Sequence, residues 1–169
     1  MSTHAYSRCW LHLIWGTQKR EGLFNPKSAA KVSAFLTDYA KQNGIYMKIN
    51  FVNTDHVHAL IDLPTGMTIE QVMKLLKGAS SHWINEQDLL AGKFAWGRGY
   101  GAFSVSQSGV DEVCAYIAGQ TEHRRIKSFA EEYERFVKVY GLEWRDEETV
   151  ETVSSLSAPP KPLVKTRGQ

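Results

Sequence analysis

Two histidines one residue apart, His56-Val57-His58, and a tyrosine–glutamine pair, Tyr116 and Gln120, are the residues of this chain best suited to chemistry. Residues i and i+2 of a β-strand point to the same face, so a strand would place the two imidazoles side by side. Residues i and i+4 share a face of a helix, so a helix would do the same for the phenol and the amide. Two imidazoles, one amide oxygen and one phenol suit metal-assisted attack on a phosphate, which is the first hypothesis.

Both halves of this set also have an ordinary structural explanation. Most His-X-His pairs in strands are semi-buried or surface histidines, and most helical tyrosines pack in a core. Asp55 directly before the pair and Leu60 on its face favour the ligand interpretation. On a helical wheel of 100° per residue, Tyr116 lies about 110° from the centre of the apolar stripe, beside Glu112 and His123. This position at the polar shoulder of the helix favours a functional tyrosine.

Length and composition indicate one soluble domain. The 169 residues are 43% hydrophobic and 22% charged, enough to bury a core without disulfides or metals. Periodicity extends to residue 146, so we predict a catalytic domain at 1–146, followed by a mobile, proline-containing tail at 147–169. The sequence contains no apolar run of membrane-spanning length and no basic start followed by an apolar stretch, so we expect a cytoplasmic protein without membrane partners.

Cysteine content and net charge say little about which molecules the protein binds. Cys9 and Cys114 lie far apart and form no CxxC motif, so we predict reduced core thiols and no structural zinc site. The net charge of +2 is too small to establish a nucleic-acid partner. Basic residues near the candidate site segments could contact DNA, although solvated surface charge explains them as well. These candidates are Lys19, Arg20, Lys74, Lys77, Arg98, Arg124 and Arg125.

Hydrophobic periodicity and turn residues predict four strands and four helices. The strands are predicted at 8–17, 45–52, 56–63 and 102–105, the second with Ile45, Met47, Ile49 and Phe51 on one face. The first helix begins at Asn25-Pro26 and ends at Gly44, and the second begins with a capping box at 68–71. Ser108 is predicted to cap the third helix, and a second capping box at 128–131 begins the fourth.

The resulting order is β-α-β-β-α-β, followed by two helices. It predicts an α+β fold of the ferredoxin-like split βαβ type, an antiparallel sheet with helices on one face. The first and third strands are central in this fold, and the turn at 53–55 joins the second and third strands into a hairpin. His56 and His58 are therefore expected in the middle of the sheet.

The chain resembles the single-tyrosine HUH transposases of small bacterial insertion sequences, including the REP-associated tyrosine transposases. The resemblance runs from His12 to Trp144, and its motifs occur in the family's order. The matching segments are HLIW at 12–15, DHVHAL at 55–60, LKGASS at 76–81, WGRGYGAFSVS at 96–106, YIAGQ at 116–120 and EHR at 122–124.

The resemblance implies a role for each chemical residue. His56 and His58 would be the metal-binding HUH pair, Gln120 the third protein ligand and Tyr116 the nucleophile. Two small departures from the family pattern are Ala59, where an aliphatic residue is frequent, and Gly119, where asparagine is frequent. Gly119 would make the helix more flexible next to Gln120.

The resemblance also implies the reaction and its partners. It implies that a Mg²⁺ or Mn²⁺ ion polarises the scissile phosphate, and that attack leaves a 5′-phosphotyrosine and a free 3′-OH. The substrate would be single-stranded DNA with hairpins at the element ends. The protein would be a homodimer in which the tyrosine helix serves its own or the other subunit.

Two other function classes remain open from the residues alone. A domesticated, non-cutting protein could bind single-stranded or hairpin nucleic acid, with Trp96 and Tyr100 as stacking platforms. The intact His pair, Tyr116 and Gln120 argue against that loss of catalysis. A two-histidine phosphoesterase acting on small nucleotides would need a second HxT or HxS motif, which the sequence lacks.

Overall fold

A computed structural model describes residues 6–120 and the helical residues 131, 132 and 134. Its contacts group the chain into two compact units, residues 1–130 and 131–169. The strands are β1 (Trp10–Gly16), β2 (Tyr46–Val52), β3 (His56–Asp62) and β4 (Gly101–Val105). The helices are α1 (Pro26–Gln42), α2 (Ile69–Glu86) and α3 (Val110–Ala118), with short 3-10 turns at Gln18–Arg20 and Gln107–Gly109. Arg124, Arg125, the start of the fourth predicted helix and the tail at 147–169 lie outside the described residues.

The four strands form one antiparallel sheet in the order β2-β3-β1-β4. The predicted ferredoxin-like order, with the first and third strands central, is confirmed. Residues of β1 pair with β3 so that Ile14 lies opposite His58 and Gly16 opposite His56. Both histidines therefore lie on a central strand whose backbone is paired on both sides.

The two long helices begin at the predicted caps. The Asn25 side chain accepts a hydrogen bond from the Ser28 backbone N–H at 2.9 Å, which satisfies a free donor in the first turn of α1. Thr68 and Gln71 cap each other reciprocally at the start of α2, as the sequence predicted. Gly44, with φ of +70°, takes the left-handed conformation that allows the chain to leave α1.

The two faces of the sheet bury different clusters. Helices α1 and α2 pack on one face, around Leu11, Leu13 and Trp15 of β1 and the odd-numbered residues of β3. Trp10 and Leu60 belong to a second cluster with Val110 and Ile117, so α3 packs on the opposite face. Since alternate strand residues share a face, His12, His56 and His58 lie on the α3 side.

The face predicted for β2 is wrong, because Lys48 is an extra residue in the pairing with β3. Met47 pairs with Ile61, whereas Ile49 pairs with Leu60, so the register shifts by one residue. Met47 therefore packs with the α1 and α2 cluster, while Ile49 and Phe51 pack on the α3 side. A one-residue shift exchanges the two faces of a strand, and strict alternation in the sequence cannot locate it.

Two smaller predictions also need correction. Ser106, and not Ser108, provides the cap before α3: its hydroxyl accepts from the Gly109 N–H at 3.2 Å, at the 3-10 turn that leads into the helix. Cys9 is exposed and Cys114 is partly buried, so the predicted pair of core thiols is wrong for Cys9.

Candidate metal and nucleophile site

His56 and His58 present their Nε2 atoms to each other across one face of β3. The two atoms are 3.1 Å apart, and the side chains are 2% and 0% exposed. Ligand atoms in adjacent octahedral positions lie about 3 Å apart when each bond to the ion is about 2.1 Å long. The separation of the two imidazole nitrogens therefore fits two ligands of one divalent ion.

Asp55 orients the ring of His56. The Asp55 carboxylate accepts a hydrogen bond from His56 Nδ1 at 2.6 Å. A proton held at Nδ1 leaves the lone pair at Nε2, the nitrogen that faces His58. This is the arrangement that commonly supports a metal-bound histidine.

His12, on β1, is a third histidine at this site, and no role was assigned to it from the sequence. Its Nε2 lies 3.0 Å from Nδ1 of His58, and its side chain is 0% exposed. The available signal was the position of His12 on a predicted central strand, on the face opposite Leu11 and Leu13. What the sequence did not provide was the register between β1 and β3, which decides whether the two rings meet.

Tyr116, on α3, lies beside His58 and His12. Its ring centroid is 5.8 Å from that of His58, at an interplanar angle of 82°, and 6.2 Å from that of His12. The side chain is partly buried, at the edge of the cluster formed by Trp10, Leu60, Val110 and Ile117. The predicted shoulder position of Tyr116 thus corresponds to a phenol beside the histidine pair.

Gln120 follows Gly119, the residue that ends α3. Its side chain is 0% exposed, and neither its amide oxygen nor its amide nitrogen has a hydrogen-bond partner among the described residues. Buried amides are nearly always hydrogen-bonded, so an amide without a partner in the described part of the chain is available to bond another group. An amide oxygen together with imidazole nitrogens suits a divalent cation, and these donors fit the ion that the resemblance implies.

Two loops carry several of the predicted basic residues. Lys19 and Arg20 are exposed, and each has a φ of 56°, a left-handed conformation that is strained for a residue with a side chain. This first loop, at 17–20, is joined to a second loop, at 96–100, by an isolated antiparallel β-bridge between Thr17 and Trp96. That second loop bears Arg98 and Tyr100, both exposed, and Lys74 is exposed on α2.

The ammonium group of Lys77 is hydrogen-bonded to two backbone carbonyls of the loop that carries Arg98. Nζ donates to the carbonyls of Gly97 and Gly99, each at 2.8 Å. Burial lowers the pKa of the Lys77 side chain below its usual value. Lys77 therefore connects α2 to the loop that carries Arg98.

Trp96 cannot serve as the exposed stacking platform considered for a nucleic-acid binder. Its side chain is 8% exposed, and its indole N–H donates to the Ser80 hydroxyl at 2.9 Å. The ring packs edge-on against Trp15, with 6.0 Å between centroids. Tyr100, which is 39% exposed, keeps the surface position that stacking requires.

Within the described part of the chain, no helix combines the length and the apolar character needed to cross a membrane.

Comparisons with known proteins agree with this fold and indicate the family. The family model for IS200-like transposases matches residues 5–120, more than half of the chain. The ISDra2 transposase TnpA of Deinococcus radiodurans is 30% identical over 114 residues, which cover 64% of this chain and 81% of that protein. The transposase for insertion sequence element IS200 of Salmonella typhimurium is 25% identical over 128 residues, or 73% of this chain and 84% of the relative.

Solved structures show the same fold. The crystal structure of a Deinococcus radiodurans protein described as a transposase has a TM-score of 0.56 and 26% identity, covering 71% of this chain and 96% of that one. A REP-associated tyrosine transposase bound to a REP hairpin has a TM-score of 0.51 and 14% identity, covering 87% and 93% of the two chains. At that identity the second likeness concerns the fold alone. From the family match and these relatives, the chain belongs to the IS200-like transposase family.

Proposed function

We propose that this transposase cuts and rejoins single-stranded DNA through a covalent 5′-phosphotyrosine at Tyr116. The observation that carries the proposal is that one chain places the Tyr116 ring 5.8 Å from the His58 ring, beside a His56–His58 pair with ligand spacing. A nucleophile next to a cation site is what phosphodiester transfer requires.

His56, His58 and Gln120 are the residues that would hold the divalent ion, Mg²⁺ or Mn²⁺. The buried amide of Gln120 and the facing Nε2 atoms support this donor set. When bound, the ion supplies Lewis-acid polarisation of the phosphate and stabilises negative charge on its oxygens. Asp55 would keep the lone pair of His56 directed to that position through the 2.6 Å hydrogen bond.

The chemical step exchanges one phosphodiester for another. The phenol oxygen of Tyr116 attacks the scissile phosphorus and loses its proton, while the bond from phosphorus to the 3′ oxygen breaks. The 3′ oxygen leaves with a proton as a free hydroxyl, and the 5′ phosphate stays on the tyrosine. Attack by another 3′-OH reverses the step and releases Tyr116, so strands can be rejoined without ATP.

We propose that the DNA lies over the two linked loops that carry Lys19, Arg20, Arg98 and Tyr100. Exposed cations attract phosphates, and the exposed phenol ring of Tyr100 offers a base a stacking surface. Lys74, exposed on α2, would extend the same contact surface, and Arg124 and Arg125 remain candidates outside the described residues. Lys77 would contribute indirectly, since its hydrogen bonds hold the loop that carries Arg98.

Single-stranded DNA with hairpins at the element ends remains our proposed substrate, and a homodimer our proposed assembly. A protein of the same fold is bound to a REP hairpin, which supports the choice of hairpin DNA as the first ligand to test. A dimer would supply two nucleophiles, as the two strand cuts of excision require.

The experiment is a covalent-adduct assay with single-stranded DNA from the flanks of the gene. Incubation with Mg²⁺ should give a protein–DNA species that survives denaturation, and Tyr116→Phe should abolish it while keeping DNA binding. Tyr46→Phe is the matched control, because it removes an exposed phenol oxygen outside the proposed DNA surface and should leave adduct formation intact. An adduct that persists in Tyr116→Phe would contradict the assignment. Binding without any adduct in the wild type would instead indicate the non-cutting nucleic-acid binder.

A further inference from the structure

His12 lies within hydrogen-bonding distance of His58, and the proposed function gives His12 no role. It lies on β1, opposite Leu60 of β3 and Phe103 of β4, and is therefore held between the two neighbours of its strand. Its Nε2 is 3.0 Å from Nδ1 of His58, and both side chains are 0% exposed. A buried pair at this distance, fixed by two antiparallel pairings, has little freedom to separate.

The two nitrogens of His58 have separate partners. Nε2 faces His56, and Nδ1 faces His12. A neutral imidazole carries its proton on only one nitrogen, and the partner of one nitrogen decides the state of the other. His58 can offer its Nε2 lone pair as a ligand only if Nδ1 holds the proton, and that proton needs an acceptor within reach.

We propose that His12 is a positioning residue for the metal site: its Nε2 accepts the Nδ1 proton of His58 and so directs the Nε2 lone pair of His58 to the ion. His12 would then do for His58 what Asp55 does for His56, with a neutral imidazole in place of a carboxylate. Partners of this kind typically change metal affinity by about 10- to 100-fold when they are removed. The inference rests on the proposed function, because it presupposes that His56 and His58 bind the ion.

The test measures Mn²⁺ binding to the full chain by isothermal titration calorimetry, without DNA. His12→Phe keeps a ring but removes the acceptor, and should weaken binding by about 10- to 100-fold. His12→Gln places an amide oxygen near the former Nε2 position, and should restore binding to within a few-fold of the wild type. His12→Leu is a second acceptor-free variant of smaller volume, used if His12→Phe does not fold.

Ile14→Ala is the matched control for a purely structural effect. Ile14 is buried and pairs directly with His58, but it donates and accepts nothing there through its side chain. Truncation should lower the melting temperature and leave the dissociation constant for Mn²⁺ within a few-fold. Equal losses of affinity in Ile14→Ala and His12→Phe would overturn the positioning role.

His56→Ala and His58→Ala separate a failure of this inference from a failure of the proposed function. If both variants lose Mn²⁺ binding while the acceptor-free His12 variants bind like the wild type, only the inference about His12 is wrong. If the wild type does not bind Mn²⁺, or if His56→Ala and His58→Ala bind unchanged, the metal site itself is wrong and the role of His12 with it. A loss in His12→Phe that His12→Gln also shows would contradict the acceptor role.

Discussion

The ring of Tyr116 meets that of His58 edge-on within a single chain, with 5.8 Å between centroids and an interplanar angle of 82°. The proposed active site therefore needs no second subunit, because the proposed nucleophile and the proposed metal ligand come from α3 and β3 of the same chain. The sequence had left open whether the tyrosine helix serves its own subunit or a partner.

We predict that the active site is assembled in cis. A mixture of Tyr116→Phe and His56→Ala subunits should form no more covalent adduct than either variant alone, because each chain lacks one necessary part. Wild-type protein diluted to the same total concentration is the control for activity. Recovery of adduct in the mixture would show that subunits exchange their tyrosine helices. Light scattering of the wild type tests the dimer separately.

We predict that Mn²⁺ stabilises the folded protein through the histidine pair. An ion that binds only the native state raises the free energy of unfolding, by about 2.7 kcal/mol at a concentration 100-fold above its dissociation constant. Thermal unfolding with and without Mn²⁺ should show this shift in the wild type and not in His58→Ala.

His58→Ala should also lower the melting temperature without metal, because its side chain is completely buried. Truncating a histidine pair that faced an open cleft would cost little stability, but both of these side chains are buried. Only the change in melting temperature on adding Mn²⁺ distinguishes a metal ligand from a side chain that merely packs in the core. A full Mn²⁺-induced shift in His58→Ala would exclude this histidine as a ligand.

We predict that Lys77→Met weakens both the fold and DNA binding. It removes two hydrogen bonds of a charged donor to the loop at 97–99, which should lower the free energy of unfolding by about 1–3 kcal/mol. Lys74→Met, three residues away on α2 and exposed, is the control and should leave chemical denaturation unchanged. If Lys74 contacts a phosphate, its loss should reduce the salt dependence of single-strand binding by about 0.7 in the log–log slope. Equal stability of the two variants would contradict the anchoring role of Lys77.

We predict that Gly97→Ala pushes the two basic loops apart. A Cβ at this position would lie 3.0 Å from the Thr17 carbonyl oxygen and 3.3 Å from that of Gly16, where the backbone atoms have little room to move. The variant should lose about 1–3 kcal/mol of stability and bind single-stranded DNA more weakly.

Gly78→Ala is a control for Gly97→Ala that should change stability in the opposite direction. Gly78 lies inside α2, and an added Cβ would contact nothing within 4 Å. Alanine there should stabilise the protein by up to about 1 kcal/mol, as helix propensity requires. Thermal unfolding measures both changes, and a stable Gly97→Ala variant would exclude close packing of the loops.

The element order and the two central strands follow from the amino-acid sequence alone, which also names the residues proposed for the chemistry. These depend on local rules: alternation placed His56 and His58 on one face, and Thr68 and Gln71 marked a helix start. The i, i+4 pairing of Tyr116 with Gln120 on one helix stays a prediction, because Gly119 ends α3 before Gln120. Motif resemblance supplied the family, because its segments occur in a fixed order along the chain. None of these signals needs a contact between distant residues.

The partner that lies across from each of these residues depends on the packing of segments that are distant in the sequence. The meeting of His12 with His58 depends on the register between β1 and β3, and residues far apart in sequence carry no local signal of that register. The bulge at Lys48 moved Ile49 and Phe51 to the α3 face, because one inserted residue reverses every later side chain. Burial of Trp96 and the hydrogen bonds of Lys77 likewise depend on loop packing against α2, which residue type alone does not specify.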